Sequence, residues 1–236
     1  MKLAKYALSR TQLIIPVSRS LQEHIESFGI KNDCRIVSNV INTDFFSFKS
    51  ENFKKDKKRI IFIGALLPYK GIPYLLEAME MLRDIRGDFC LDIVGDGIFM
   101  EDYKKMTNDK GLTDRVTFHG TKYGIEKLGL LQKSDFMVLP SLYESFGVVL
   151  IEAMACGKPV ITTLNGGQKE FVNEDNGVLV PAKNSRALAR AIEYLLDHHQ
   201  DYSSDRIARY ARDNYSYATI GRSLHDIYVE VTNEWK

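Results

Sequence analysis

Two glutamates, Glu144 and Glu152, are the residues whose type and spacing best suit chemistry. They stand eight residues apart in PSLYESFGVVLIEAMACGKPVI, which covers residues 140–161. A carboxylate accepts two hydrogen bonds side by side and so suits a vicinal diol, such as that of a ribose or a hexose. Glu144 falls in a predicted loop, and Glu152 follows about two turns later, in a predicted helix that begins near Gly147. The pair therefore predicts a sugar-binding site, unless both glutamates are only solvated surface charges.

Three glycine-containing turns follow predicted strands and could approach a phosphate. They contain Gly64 with Lys70 in IGALLPYKG (63–71), Gly95 in VGDG (94–97), and Gly166 with Gly167 in TLNGGQKEFV (163–172). Glycine lets the backbone come close to a ligand, helix N-termini favour phosphate, and Lys70 adds a full positive charge. The alternative is that the glycines are merely turn residues. Neither the P-loop spacing nor GxGxxG occurs, which argues against a nucleoside triphosphatase and a standard dehydrogenase.

The elements that must position these residues alternate between strands and helices. Apolar strand-like runs occur at 59–64, 89–95, 115–120, 135–140, 159–163 and 177–181, mostly separated by amphipathic helical stretches. This alternation predicts an α/β fold, a Rossmann-like doubly wound parallel sheet. Ligands of such sheets bind at the carboxyl ends of the strands, where every candidate residue lies. Three further helices are predicted near 184–198, 201–214 and 216–234.

The predicted domain organisation has four parts. Residues 1–46 carry too few strands for a domain of their own and resemble the tail of something larger, and the polar, Lys-rich stretch 47–58 is predicted to be a linker. Residues 59–200 form the α/β domain, and 201–236 form C-terminal helices. The last helix is amphipathic, and we expect an exposed apolar face there to promote self-association.

Composition excludes several classes of protein. The 236 residues include 32 Lys and Arg against 31 Asp and Glu, so no overall charge favours nucleic acid as a partner. Three cysteines without a CxxC pair, and histidines without metal-ligand spacing, predict no metal site and a reducing compartment. The apolar runs are too short for a membrane span. We therefore expect a cytoplasmic protein, with a peripheral place at the inner face of the cell membrane left open.

Several motifs in this order resemble one family. They are G-x5-KG (64–71), VGDG (94–97), VTFHG (116–120), the glutamate pair in ESFGVVLIEAMACGKPVI (144–161), GG with a glutamate (166–170) and NGVLVP (176–181). Together they resemble the donor-binding domain of GT-B glycosyltransferases, in particular the retaining family 4. The likeness spans roughly residues 12 to 234 and implies the C-terminal half of a GT-B fold.

The resemblance implies a role for each candidate residue. Lys70 and the Gly64 turn would hold the diphosphate of a nucleotide-sugar donor, aided by the helix start at Gly166 and Gly167. Glu152 would bind the ribose, and Glu144 would face the transferred sugar, which makes Glu144 and Lys70 the implied catalytic residues. Further donor contacts are implied for Gly95, for the nucleobase-facing stretch Phe118, His119 and Gly120, and for the backbone amides of Ser145, Phe146 and Gly147. The implied donor is linked to UDP or GDP, with no cofactor and no metal.

Two departures from the family bear on activity. Ala65 stands where the family usually has a basic residue, most often arginine, after the glycine. Most of the family's first domain, which would bind a saccharide or lipid-linked acceptor, is also missing from this chain. We therefore expect a fragment that binds donor and transfers little or nothing alone. The alternatives are a nucleotide-binding module without transfer activity, or another GT-B enzyme such as an epimerase or a phosphorylase.

Overall fold

The computed structural model describes residues 2–49 and 56–233. Along the chain the elements are α1 (Lys2–Leu8), β1 (Leu13–Ile14), α2 (Arg19–Ser27), β2 (Asp33–Cys34), β3 (Lys58–Ile63), α3 (Ile72–Arg83), β4 (Phe89–Val94), α4 (Met100–Asp109), β5 (Val116–Phe118), α5 (Gly124–Lys133), β6 (Phe136–Leu139), α6 (Val148–Ala155), β7 (Val160–Thr163), β8 (Gly177–Val180), α7 (Ser185–His198), α8 (Ser204–Tyr215) and α9 (Tyr217–Asn233). Short 3₁₀ turns occupy Pro68–Lys70, Gly167–Glu170 and His199–Asp201.

Six of the strands form one parallel sheet in the order β5-β4-β3-β6-β7-β8. Every strand predicted between residues 59 and 181 is present, so the predicted α/β fold is confirmed. Strand β3 pairs with β4 on one side and with β6 on the other, for example through Ile61 opposite both Asp92 and Met137. The connections leave these central strands in opposite directions. In sheets of this topology ligands bind where the connections diverge, which here is at the carboxyl ends of β3 and β6.

The strands are apolar on both faces because helices cover both faces. All four residues of β6 and all four of β7 are buried. On one side of the sheet α3 packs against α4 and α7, and on the other side α6 packs against α8. Helix α8 lies beyond the predicted domain boundary at residue 200, yet its Ile207 and Ala211 belong to the core. The α/β layers therefore continue into the C-terminal helices.

The first segment packs onto the domain rather than forming one. Strands β1 and β2 pair in parallel over two residues each. Ile41 and Phe46 join the main core, and the Ile41 N–H donates to the Tyr215 carbonyl at 3.0 Å. Of the predicted linker, residues 50–55 lie outside the described residues, and Lys58 already begins β3.

None of the helices within residues 2–49 and 56–233 has the length and apolar character needed to traverse a lipid bilayer.

Candidate functional site

The turns after β3, β4 and β5 are hydrogen-bonded to one another. The Gly64 N–H donates to the Val94 carbonyl at 3.0 Å, and the Gly95 N–H donates to the Gly120 carbonyl at 2.9 Å. Gly95 has a φ of +140°, and a side-chain carbon built there would overlap the Gly64 carbonyl oxygen. The structure thus gives Gly95 a packing role, because two backbones meet there without room for a side chain. Its implied contact with the donor stays a prediction.

Lys70 and Glu144 are brought together at the carboxyl ends of β3 and β6. Their side chains form an ion pair and are only 16% and 12% exposed. Ser141 Oγ also donates to Glu144 Oε1 at 2.8 Å. The Lys70 turn is tied to the Glu144 loop by the Leu142 N–H, which donates to the Tyr69 carbonyl at 2.7 Å. Lys70, implied to bind the phosphate, and Glu144, implied to face the sugar, therefore lie in one site.

The glycine pair after β7 adjoins the same loop. The Gly167 N–H donates to the Glu144 carbonyl at 2.9 Å, and a side-chain carbon at Gly166 would overlap that carbonyl. Gly166 precedes the short 3₁₀ turn Gly167–Glu170, as the sequence predicted. Its φ of +125° favours glycine. The loops after β3, β6 and β7 therefore form one connected surface.

Glu152 is buried on α6 and does not face open solvent. Its side chain is 10% exposed, and Lys127 Nζ on α5 lies 2.8 Å from each carboxylate oxygen. Burial raises the pKa of Glu152, while the hydrogen bonds and the charge of Lys127 act in the opposite direction. Sequence reasoning missed Lys127. The available signal was its spacing of four and seven residues from Leu131 and Ser134, which places all three on one side of the helix. Leu131 and Ser134 are both fully buried.

His119 is held by a buried carboxylate that was not predicted either. Its Nε2 lies 2.7 Å from Asp92 Oδ1, and Asp92 also accepts two hydrogen bonds from Arg59 Nη2, at 2.7 and 2.8 Å. Asp92 interrupts the otherwise apolar strand FCLDIV, beside a strand that begins near Arg59. A buried charge needs such a partner, and this was the available signal. The nucleobase contact implied for Phe118, His119 and Gly120 stays a prediction.

The segment Ser145–Gly147 leads from the Glu144 loop into α6. The Phe146 ring is buried, with ring centroids 5.3 Å from Phe171 and 5.8 Å from Tyr215. Its side chain is therefore a core residue, and only its backbone remains available for the implied donor contact. Gly147 has a φ of +91° and stands at the N-terminus of α6, as predicted.

Helix α2 is fixed by its N-terminus to this surface. Ser18 caps the helix by accepting from the Leu21 N–H at 3.1 Å, and its Oγ donates to the Ser145 carbonyl at 2.6 Å. The Glu170 carboxylate accepts from the N–H groups of Arg19 and Ser20 at 3.0 and 2.9 Å. These first N–H groups of a helix have no partner within it and favour an anion. Glu170 therefore joins the glycine turn to the N-terminal segment.

Replacing Glu170 with alanine is expected to loosen α2. The loss of both acceptors should cost about 1 kcal/mol of stability, as for a lost helix cap. Amide hydrogen exchange should accelerate at Arg19 and Ser20 more than in β3 or β6. The matched control is Glu174→Ala, an exposed glutamate on the loop that follows. Equal exchange rates in both variants would show that Glu170 does not hold the helix.

Within residues 2–49 and 56–233 no group of three or more His, Cys, Asp or Glu side chains is arranged to hold a metal ion.

Comparison with known proteins identifies relatives along most of the chain. The family model described as glycosyl transferases group 1 matches residues 43–214. An uncharacterized glycosyltransferase of Methanocaldococcus jannaschii is 31% identical over 231 residues, covering 91% of this chain and 59% of the relative. A D-inositol 3-phosphate glycosyltransferase of Corynebacterium diphtheriae is 32% identical over 179 residues, covering 72% and 42%. The chain thus spans about half the length of these relatives.

Solved structures share the fold. Sucrose-phosphate synthase from Thermosynechococcus elongatus matches with a TM-score of 0.86 and 26% identity, covering 99% of this chain and 61% of the other. Anabaena HepE in complex with UDP-glucose matches with a TM-score of 0.85 and 23% identity, covering 97% and 67%. At this low identity, the likeness to HepE concerns the fold alone.

Proposed function

This chain belongs to the glycosyl transferases group 1 family, and we propose that it is the nucleotide-sugar-binding part of a retaining hexosyltransferase. The observation that carries the proposal is the contact between Lys70 and Glu144 at the point where the strand order reverses. An ammonium group suits a phosphate and a carboxylate suits sugar hydroxyls. A ligand that carries both groups side by side fits this pair.

Each part of the donor has a proposed neighbour. Lys70 and the 3₁₀ turn that begins at Gly167 bind the diphosphate, Glu144 binds the hexose, and Glu152 binds the ribose. The backbone of Phe118–Gly120 borders the nucleobase. Support comes from the hydrogen bonds that join the loops after β3, β4 and β5, and from those that join the loops after β6 and β7. HepE, which shares the fold, has been crystallised with UDP-glucose, and UDP is therefore a reasonable first nucleotide to test.

The proposed reaction breaks the bond between the sugar and the diphosphate, and the bonding electrons leave with the phosphate oxygen. Lys70 stabilises the negative charge that develops there. The acceptor hydroxyl attacks the same face of the sugar that the diphosphate leaves, and its proton passes to the departing phosphate oxygen. Ala65 provides no second cation for the leaving group, so Lys70 and backbone N–H groups carry this role among the residues described here. We expect weak or no transfer by this chain alone, with a saccharide or lipid-linked acceptor bound by the rest of the protein.

A nucleotide-binding module without transfer activity is the second candidate. Ala65 favours it, because the missing positive charge weakens stabilisation of the leaving group. The pairing of Lys70 with Glu144 favours an enzyme, because binding a nucleotide alone requires no group for the sugar. Hydrolysis of a nucleotide-sugar, or transfer to an acceptor, by a protein of the relatives' full length would distinguish the two.

Calorimetric titration of the chain with UDP, GDP and ADP, without added metal, tests donor binding. We expect one nucleotide to bind, and Glu152→Ala to weaken that binding at least about tenfold, because hydrogen bonds to a charged group are lost. Glu174→Ala, which changes an exposed glutamate, should leave the affinity unchanged. If none of the three nucleotides binds at millimolar concentration, the proposed function is contradicted.

A further inference from the structure

Lys127 directly contacts Glu152, the residue proposed to bind the ribose, although no motif includes Lys127. Its Nζ lies 2.8 Å from both oxygens of Glu152, which places the ammonium symmetrically on the carboxylate. Both side chains are largely withdrawn from solvent, with 18% of Lys127 and 10% of Glu152 exposed. Such a pair is screened much less than a surface ion pair.

An aromatic ring fixes the other side of the ammonium. Lys127 Nζ lies 5.0 Å from the centroid of the Phe46 ring, within the range of a cation–π contact. Phe46 is itself buried and belongs to the main core. Lys127 is therefore held between a carboxylate and an aromatic face. Both of these neighbours, Glu152 and Phe46, are buried.

The Glu152 carboxylate keeps free acceptor capacity beside Lys127. An ionised carboxylate has about four lone-pair sites, and Lys127 uses one on each oxygen. Each oxygen can accept one further hydrogen bond, which matches the two hydroxyls of a ribose. A protonated carboxyl group could not accept both bonds equally, because one oxygen would carry the proton. Burial favours this protonated form, and a cation in contact opposes it.

We propose that Lys127 is a positioning residue for the ribose site, because it holds the buried Glu152 carboxylate ionised and oriented to accept both ribose hydroxyls. The inference rests on the proposed role of Glu152 as the ribose ligand. It adds a residue on α5 to a site built so far from the loops that follow the strands.

The other charged or titratable groups around Glu152 do not replace Lys127. Directly after α6, burial raises the pKa of Cys156 to about 12, so this thiol is neutral. After α6, Lys158 Nζ donates to the Gln132 carbonyl at 2.9 Å. On α8, which packs against α6, Asp205 and Arg209 pair with each other at the surface. Lys127 is the charged side chain in direct contact with Glu152 in the described part of the chain.

The test compares the nucleoside diphosphate selected by the titration with its 2′-deoxy counterpart, from about pH 5 to about pH 8. The proteins are the wild type, Lys127→Met and Lys127→Arg. In Lys127→Met, burial acts alone and the pKa of Glu152 rises further. The preference for the ribonucleotide should then fall as the pH drops through that pKa, by about tenfold at the acidic end. The wild type should keep its preference over a wider range, and Lys127→Arg should behave like the wild type.

Three outcomes separate the possibilities. If the wild type binds no nucleotide, the proposed function fails and this inference fails with it. If Glu152→Ala loses the ribose preference while Lys127→Met keeps it at every pH, the proposed function stands and Lys127 has no positioning role. A merely structural role would lower the melting temperature and weaken both nucleotides equally, without moving the pH profile, and this result would also overturn the inference.

Discussion

Replacement of Gly95 by alanine is expected to destabilise the domain by about 3 kcal/mol or more. The backbone at Gly95 has a φ of +140°, a region that residues with a side chain adopt only under strain. The new methyl group would also overlap the Gly64 carbonyl oxygen, which is backbone and cannot rotate away. Either the turn after β4 or the turn after β3 must move, and overpacking of this kind costs about 1–3 kcal/mol on its own.

Chemical denaturation of Gly95→Ala beside Gly129→Ala measures this effect. Gly129 lies inside α5, and a side-chain carbon there has no heavy atom within 4 Å. Its replacement should raise stability by up to about 1 kcal/mol, since alanine favours the helix. We expect the free energy of unfolding to fall in Gly95→Ala and to rise in Gly129→Ala. If Gly95→Ala unfolds at the same denaturant concentration as the wild type, the two turns are not packed as described.

Replacement of Lys70 by alanine is expected to weaken binding of the nucleoside diphosphate by roughly 10- to 100-fold. Lys70 is the proposed phosphate ligand, and hydrogen bonds between ammonium and phosphate are charge-assisted. The corresponding nucleoside, which lacks phosphate, should bind the variant and the wild type equally. The difference between nucleotide and nucleoside thus isolates the contribution of the charge.

Titration of both ligands into Lys70→Ala, Lys104→Ala and the wild type measures this difference. Lys104 pairs with Glu101 on the surface of α4, so its loss should change neither affinity. Lys70→Ala should also lower the melting temperature, because it leaves the largely buried Glu144 carboxylate without its cation and with only its hydrogen bond from Ser141. The nucleoside, which binds in the same proposed site, is the control for this loss of stability. An unchanged affinity for the diphosphate would remove Lys70 from the proposed site.

The fold could be predicted because its signals are local. Strands buried on both faces are short apolar runs, such as FMVL in β6, and the helices between them have a regular apolar spacing. The place of Lys70 and Glu144 followed from the same reasoning, since both come after strands. Their direct contact is a tertiary feature, because 74 residues separate them along the chain.

Sequence reasoning missed Lys127 and Asp92, which both contact residues that are distant along the chain. Lys127 meets Glu152 across 25 residues, and His119 meets Asp92 across 27. At Gly167, close packing is a second reason why the residue is glycine. A side-chain carbon there would overlap Ser18, which belongs to a segment more than a hundred residues earlier. No spacing rule reports such a contact, so the sequence offered phosphate binding as the reason for this glycine.

If Lys70 and Glu144 bind the donor as proposed, the ion pair between them also makes the site selective. With the pair intact, each charge already has a partner, so any incoming anion competes with an internal carboxylate for the same ammonium. Inorganic phosphate would take Lys70 and leave Glu144 largely buried without its cation, which is costly. A ligand that presents a hydroxyl to Glu144 while it presents a phosphate to Lys70 satisfies both groups at once. The pair would therefore discriminate against simple anions such as inorganic phosphate.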